Sequence, residues 1–196
     1  LVEHAAAQIE NALLHQEMIS KTKMQTEMDL ARNVQLRLLP NEPPCVKGVD
    51  IFASSEPALQ VGGDFFDFIP TGPAAMHFTV GDVAGKGISA AMLMAMSRTV
   101  LRNLVRRENQ LSPAAVFDRA NTDLYDDFTD VEMFATVFCG HLDGPNSTLT
   151  YVNAGQSPVI YRPLDGIARY VDTDGPAMGV LPMSLVDNHT LPFSSG

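Results

Sequence analysis

Positive charge is scarce in this chain. Its 13 lysines and arginines are outnumbered by 23 aspartates and glutamates, which gives a formal net charge of −10. A nucleic-acid-binding surface needs clustered basic residues, so this balance argues against nucleic acid as a partner. The same negative charge weakly favours binding of divalent cations such as Mg²⁺ or Mn²⁺.

Cysteine and histidine are too sparse to indicate a disulfide framework or a transition-metal site. Cys45 and Cys139 are isolated, with no C-x-x-C pair, which argues against a zinc knuckle and a disulfide-rich fold. We therefore expect a reducing, cytoplasmic setting. The five histidines lack paired ligand spacing, and we interpret all of them as structural or surface residues: His4, His15, His77, His141 and His189.

Long hydrophobic runs are absent. None approaches the roughly 18 residues that a membrane span needs, and no signal peptide is visible. We expect no membrane span in this chain. The sequence begins with Leu1 rather than Met, inside an apparent helix, and we interpret it as a piece of a longer protein.

Glycine and proline are missing from residues 1–39, which are rich in good helix formers and end before Pro40. Positions spaced alternately by four and three residues are typical of a coiled-coil seam: Met24, Met28, Ala31, Gln35 and Leu38. An earlier stripe contains Val2, Ala5, Ile9, Ala12 and Leu13. We predict a signalling helix over residues 1–39 that forms a homodimer. The alternative is a helix that packs on its own domain.

A second region, residues 40–196, has the pattern of an α+β domain. Strands, two helices and then a strand meander indicate antiparallel sheet rather than alternating βαβ units. The predicted strands are 49–54, 65–69, 76–83, 134–142, 148–154, 159–162 and 167–171. Between them we predict a helix to about Arg107 and a second that starts at Pro113 behind the N-capping Ser112. The expected buried faces are Leu93, Met96, Val100 and Leu104 on the first, and Phe117, Ala120, Asn121, Leu124 and Phe128 on the second.

Two glycine–aspartate segments are the most informative part of the sequence. They are Val61-Gly62-Gly63-Asp64 and Gly81-Asp82-Val83-Ala84-Gly85-Lys86-Gly87. Apolar strands fill the gap, and the turn at residues 70–73 predicts a hairpin that brings Asp64 and Asp82 together. Two carboxylates at neighbouring strand ends, with glycines that let backbone carbonyls approach, suit a hard divalent cation.

Several segments together resemble the bacterial serine phosphatases of the stage II sporulation E and sigma-B-regulator type. This group lies within the metal-dependent, type 2C-like protein phosphatase superfamily. Besides the two glycine–aspartate segments, the resemblance rests on Ala31-Arg32-Asn33-Val34-Gln35, Leu38-Leu39-Pro40, Ala90-Ala91, Phe134-Ala135-Thr136, Tyr151-Val152-Asn153-Ala154-Gly155 and residues 175–180. Residues 1–20 resemble the last helix of a GAF-type sensory domain, which would make residues 1–39 the end of an upstream sensory domain and its linker.

The resemblance implies an αββα sandwich of two antiparallel sheets flanked by helices, with two Mn²⁺ or Mg²⁺ ions at one edge. Asp82 matches the aspartate that bridges both metals, and the backbone carbonyl of Val83 matches a further ligand. Asp64 matches an acidic residue that binds a metal directly or through water. Such a metal pair can bind phosphate oxygens and activate a water that attacks in line, so Asp64 and Asp82 are the predicted catalytic residues.

Other residues near these segments allow two interpretations. We interpret Asp67 as a support of the metal site or a surface residue, and we expect Gly85 to serve the tight turn. Lys86 is a candidate phosphate partner or a solvated lysine. Four-residue spacing places three arginines on one helix face, which we interpret as solvated, with docking of an acidic partner as the alternative: Arg98, Arg102 and Arg106.

The chain also departs from the family pattern. Gln156 stands where family members usually have histidine, after Asn153-Ala154-Gly155. Thr173-Asp174-Gly175 has the letters of a later metal motif, but no suitable strand precedes it, and we do not assign Asp174 as a ligand. Asp172 and Asp174 also mimic a haloacid-dehalogenase signature, out of place in a meander. We expect the remaining metal aspartates beyond Gly196, so that the phosphatase domain is truncated at its C-terminus.

These observations predict a metal-dependent serine/threonine protein phosphatase that removes phosphate from phosphoserine on an anti-anti-sigma-factor-like protein. Without the later aspartates, this fragment itself is expected to be weak or inactive. The alternative is a non-catalytic regulatory scaffold that keeps the fold and dimerises through residues 1–39. A third hypothesis is a sensory dimerisation fragment.

Overall fold

The computed structural model describes residues 2–56, 60–172 and 175–193. A long helix, α1 (Val2–Leu38), precedes a β-hairpin, two further helices and a strand meander. The elements that follow are β1 (Asp64–Gly72), β2 (Ala75–Val83), α2 (Ile88–Arg107), α3 (Pro113–Thr129), β3 (Ala135–Asp143), β4 (Thr148–Ala154), β5 (Val159–Tyr161), β6 (Arg169–Val171) and β7 (His189–Pro192).

All described pairings between strands are antiparallel. Five strands form one sheet in the order β1-β2-β3-β4-β7, and β5 pairs with β6 in a second, small sheet. Helices α2 and α3 cover one face of the large sheet with the main core. Residues of β5 and β6 pack against its other face, beside Phe138 and Tyr151. The α+β prediction with two antiparallel sheets is therefore confirmed.

The predicted buried face is correct for α3 and correct only in part for α2, where Leu93 is buried, Val100 and Leu104 are partly buried against the core, and Met96 is not buried. All five expected residues of α3 are buried. In α2 the buried stripe is Ala90, Leu93, Met94, Ser97, Leu101 and Val105. Met96 is 37% exposed. The polar Ser97 occupies the middle of the real stripe, so an apolar pattern alone places the face one residue out of register.

The hairpin turn lies later than the sequence predicts. Pro70 is inside β1, paired with Met76, and the register shifts between Pro70 and Gly72. Because β1 is at the edge of the sheet and has a partner strand on one side only, a proline is tolerated there. Pro70, which the sequence predicts to be part of the turn, therefore lies inside a strand.

The strand predicted at 49–54 does not form. That segment has no regular secondary structure and makes only an isolated bridge between Val46 and Val49. Its side chains Val49 and Ile51 pack against a small cluster at the end of the sheet, whereas Phe52 is 90% exposed. Conversely, β7 was not predicted, and it pairs with β4 from far along the chain.

Helix α1 extends away from the sheet along most of its length. Described side chains are exposed from Gln8 to Glu27, which contradicts packing of the whole helix on its own domain. Six of them are large apolar side chains that are more than half exposed: Ile9, Leu13, Leu14, Met18, Ile19 and Met24. The last turns contact α2 instead, and Gln35, predicted at a coiled-coil seam, is buried within its own domain.

Candidate metal centre

The hairpin brings the two predicted metal ligands face to face. Asp64, the first residue of β1, is the direct cross-strand partner of Asp82 in β2. Both side chains are exposed on the same face of the sheet. Like charges in directly opposed positions destabilise a sheet unless something compensates them. A divalent cation is a group that would do so.

Electrostatics of the pair agree with this interpretation. The pKa of Asp82 is raised above its ordinary value, first by partial burial, then by the negative charge of Asp64 and a hydrogen bond between the two carboxyl groups. The two side chains are thus close enough to share a proton or a cation. Carboxylate oxygens are the ligands that Mg²⁺ and Mn²⁺ prefer.

Gly63 lets the backbone of β2 approach the pair. A Cβ atom on Gly63 would lie 2.3 Å from the carbonyl oxygen of Val83 and 3.1 Å from Oδ1 of Asp82. The N–H of Val83 donates to the carbonyl of Gly63 at 3.2 Å. The Val83 carbonyl therefore lies beside the carboxylates, where it can serve as a third oxygen ligand. The residues present fit a hard cation.

Within the described ranges, no group of three or more His, Cys, Asp or Glu side chains gathers to hold a metal. The candidate site in the described residues thus consists of two carboxylates, Asp64 and Asp82, with the Val83 carbonyl beside them. Asp174 and Thr173 lie outside the described residues, whereas Asp172 is exposed just after β6. His77 and His141 stack in the sheet with ring centroids 4.4 Å apart, and His4, His15 and His189 are exposed; their interpretation as structural or surface residues stays a prediction.

Glycines shape the turn from β2 into α2. Gly85 has a φ of 98° and Gly87 a φ of 79°, a region that side chains other than glycine rarely adopt. The predicted role of Gly85 in a tight turn is consistent with this geometry. Lys86 is exposed between them. Its role toward phosphate stays a prediction.

Asp67 is neither a surface residue nor on the face of Asp64. It is 1% exposed and points under α2. There it pairs with Arg98, at 3.2 Å, and with Arg102, at 2.5 Å. The solvated-face interpretation of the arginines is therefore wrong for these two and holds for the exposed Arg106. Burial lowers the pKa of the Arg98 guanidinium, and Asp67 opposes that shift.

A cavity of about 500 Å³ opens beside the aspartate pair. Its walls combine apolar and polar side chains, including Phe52, Ser54, Ser55, Glu56, Asp64, Phe66, Val80 and Gln156. Gln156 is fixed by two contacts. Its backbone N–H donates to Oδ1 of Asn153 at 3.0 Å, and its Oε1 accepts from Thr136 Oγ1 at 2.6 Å. Thr136 is also the β3 partner of Asp82.

One residue that the sequence pattern did not indicate contacts the segment just before Asp64. Gln35, at the end of α1, donates from Nε2 to the Gly62 carbonyl at 2.7 Å and accepts from the Gly62 N–H at 3.0 Å. Its signal was a polar side chain at a position where the coiled-coil pattern demands an apolar one. The long helix and the Asp64 loop are thereby directly linked.

Comparisons with protein families and with curated proteins show which known proteins this chain is similar to. The family model described as stage II sporulation protein E (SpoIIE) matches residues 72–196. The chain is 31% identical over 194 residues to protein IcfG of Synechocystis, covering 87% of this chain and 31% of IcfG. It is 32% identical over 139 residues to phosphoserine phosphatase RsbU of Bacillus subtilis, covering 71% of this chain and 40% of RsbU. The chain thus spans only about a third to two fifths of these curated relatives.

Solved structures show the same fold. The SiaA PP2C domain of Pseudomonas aeruginosa superposes with a TM-score of 0.73 at 17% identity, over 89% of this chain and 69% of that one. The PP2C domain of SpoIIE from Bacillus subtilis gives 0.58 at 17% identity, over 68% and 38%. The paired aspartates thus lie on a PP2C-type scaffold, and the chain belongs to the SpoIIE family.

Proposed function

We propose that the protein is a metal-dependent serine/threonine phosphatase that hydrolyses phosphoserine. The cross-strand pair of Asp64 and Asp82 on a SpoIIE-family scaffold is the observation that carries this proposal. A relative, RsbU, is named as a phosphoserine phosphatase, which supports the same reaction class. We further propose that the substrate is a phosphorylated protein similar to anti-anti-sigma factors, and that the reaction occurs in the cytoplasm.

The residues of this chain have separable tasks in that reaction. Asp64, Asp82 and the Val83 carbonyl would hold the cations, and Gly63 keeps the space for that carbonyl. Two Mn²⁺ or Mg²⁺ ions, when bound, supply Lewis-acid stabilisation of phosphoryl oxygens and activate the attacking water. The cavity beside Asp64 would receive the phosphoserine, with the exposed ring of Phe52 available to the flanking peptide.

Hydrolysis of p-nitrophenyl phosphate with Mn²⁺ by the full-length natural protein tests the reaction class. Asp82→Asn should lower kcat/KM by at least about 100-fold, because it removes a charged ligand worth several kcal/mol to the metal site. Asp123→Asn, an exposed carboxylate on α3, is the matched control and should be neutral. Undiminished hydrolysis by Asp82→Asn would refute the metal centre.

Calorimetric titration of Mn²⁺ separates the phosphatase from a non-catalytic scaffold. A phosphatase should bind two ions in the full-length protein, and binding should be lost in Asp64→Asn and Asp82→Asn. A folded protein that binds no Mn²⁺ would instead favour the scaffold. Release of phosphate from a phosphoserine peptide, compared with a phosphotyrosine peptide of the same sequence, tests the substrate class.

We also propose that residues 1–39 form a dimerising signal helix ahead of a phosphatase domain that begins at about residue 40. The exposed apolar side chains of α1 between Ile9 and Met24 support this, since an isolated helix surface of that kind is stabilised by a partner. Sedimentation should show a dimer that Leu14→Glu weakens. Gln16→Glu, two residues along the same exposed helix, should leave the dimer intact.

A further inference from the structure

We propose that Gln156 binds the substrate, donating a hydrogen bond from its side-chain amide nitrogen to a phosphoryl oxygen. This inference rests on the proposed phosphatase function and adds a residue that contacts the phosphoryl group. Gln156 lines the same cavity as Asp64, so it faces the space that a phosphoserine would enter.

The backbone of Gln156 is held firmly at the end of β4. Its N–H donates to Oδ1 of Asn153, a β4 residue that is fully buried. The segment that carries the glutamine is thus anchored to the sheet rather than placed on a free loop. A binding group needs this kind of support to act at a fixed position.

Thr136 fixes which end of the amide faces the cavity. Its hydroxyl donates to Oε1 of Gln156 at 2.6 Å, so the carbonyl end is occupied. Thr136 is paired with Asp82 across β2 and β3, and its hydroxyl also lies 3.4 Å from the Asp82 carbonyl. Among described residues, Nε2 of Gln156 has no hydrogen-bond partner, which leaves two N–H donors for a ligand.

The charge of the cavity explains why a neutral donor is useful there. Two carboxylates, Glu56 and Asp64, line it, and no lysine or arginine is among its described lining residues. A phosphate monoester carries up to two negative charges. Bound cations would offset the two carboxylates, but phosphoryl oxygens that contact no cation would still need hydrogen-bond donors. An amide N–H₂ supplies them without a titratable charge.

Two substitutions in the full-length natural protein test this assignment. Gln156→Ala should lower kcat/KM for p-nitrophenyl phosphate about 10-fold and raise the inhibition constant of inorganic phosphate by a similar factor. Gln156→Glu, which keeps the shape but presents a negative oxygen, should lower kcat/KM by about 100-fold. Thr136→Val should give part of the Gln156→Ala effect, because the amide is then free to rotate.

The controls measure properties that would change if Gln156 had only a structural role. Mn²⁺ affinity by calorimetry and the melting temperature should stay within about twofold and a few degrees of wild type for both Gln156 variants. Gln110→Ala, at an exposed position between α2 and α3, should leave every parameter unchanged.

The outcomes separate this inference from the proposed function. Wild-type activity with Mn²⁺, combined with unchanged kcat/KM and phosphate inhibition in both Gln156 variants, would overturn the inference and leave the phosphatase proposal standing. Absence of Mn²⁺-dependent hydrolysis in the wild type would overturn both. Loss of Mn²⁺ affinity in Gln156→Glu, at an unchanged phosphate inhibition constant, would also overturn the inference.

Discussion

The side-chain amide of Gln35 forms two hydrogen bonds with one residue, Gly62: Nε2 donates to its carbonyl at 2.7 Å, and Oε1 accepts from its N–H at 3.0 Å. Gln35 belongs to the last turn of the long helix, and Gly62 lies two residues before Asp64. The end of α1 is therefore tied by two hydrogen bonds to the segment that precedes a candidate metal ligand.

Gln35→Ala should lower the free energy of unfolding by about 1–3 kcal/mol, because it removes two hydrogen bonds from a partly buried backbone segment. The affinity for Mn²⁺ should fall as well, since the Asp64 loop loses its tether. Chemical denaturation and calorimetry check the two effects. Gln16→Ala, on the exposed part of α1, is the control. Equal stability of the two variants would contradict the tether.

Gly63→Ala should destabilise the protein by about 1–3 kcal/mol, the usual range for overpacking, and weaken Mn²⁺ binding. The added Cβ would lie 2.3 Å from the Val83 carbonyl oxygen, so the carbonyl or the Asp64 loop must move. Gly72→Ala makes the same chemical change in the same hairpin. There the Cβ would meet only the Ala75 Cβ, at an ordinary 3.7 Å. Mn²⁺ titration of both variants distinguishes the local clash from a general effect of alanine, and equal Mn²⁺ affinities would count against the role of Gly63.

Asp67→Ala should cost about 3–5 kcal/mol of stability, because it leaves the partly buried guanidinium groups of Arg98 and Arg102 without their shared carboxylate. Arg106→Ala, on the same helix but exposed, should cost little. Denaturant melts of Asp67→Ala, Arg98→Ala and the double variant measure the coupling. The two single losses should not add, since each breaks the same ion pair; strict additivity would rule out that coupling.

Stability should fall in acid because of His77. Burial, reinforced by the neighbouring His141, lowers the pKa of His77 from 6.5 to about 4. Between these values the unfolded chain binds more protons than the folded one, so the free energy of unfolding rises with pH from about 4 to 6.5. Over this pH range the free energy of unfolding should change by about 3 kcal/mol.

His77→Gln should flatten that part of the pH–stability curve. The groups close to the ring are His141, stacked on it, and Asp143, which interacts with His141. Urea melts at several pH values between 4 and 7, with the exposed His15→Gln as control, measure the slope. A slope that survives in His77→Gln would assign it to other groups.

The parts of the fold that the sequence predicted correctly are those governed by local patterns. The buried face of α3 follows helical periodicity, and the hairpin that pairs Asp64 with Asp82 follows from two apolar strands of similar length. Both depend on residues that are close in the chain. The same is true of Ser112, which caps α3 as predicted by accepting from the Ala115 N–H.

The sequence-based predictions failed where a residue far away in the chain determines the contact. Nothing near Arg98 in sequence indicates that Asp67, on another element, will neutralise it beneath α2. The side chain of Gln35 likewise gains its hydrogen-bond partner only when the fold places Gly62 beside it. Pro70 is acceptable in a strand only because β1 has a neighbour on one side, a property that the topology of the sheet determines.

That position of Pro70 also bears on how copies of the chain can meet. An edge strand with a continuous row of free N–H groups is a template for adding strands from other molecules. Proline has no N–H group to offer to such a row, and the register shift that follows it makes the pairing irregular at this end of β1. Growth of the sheet from one molecule to the next through β1 is thus disfavoured. The proposed association through the exposed apolar side chains of α1 would therefore proceed without polymerisation into fibres at this edge of the sheet.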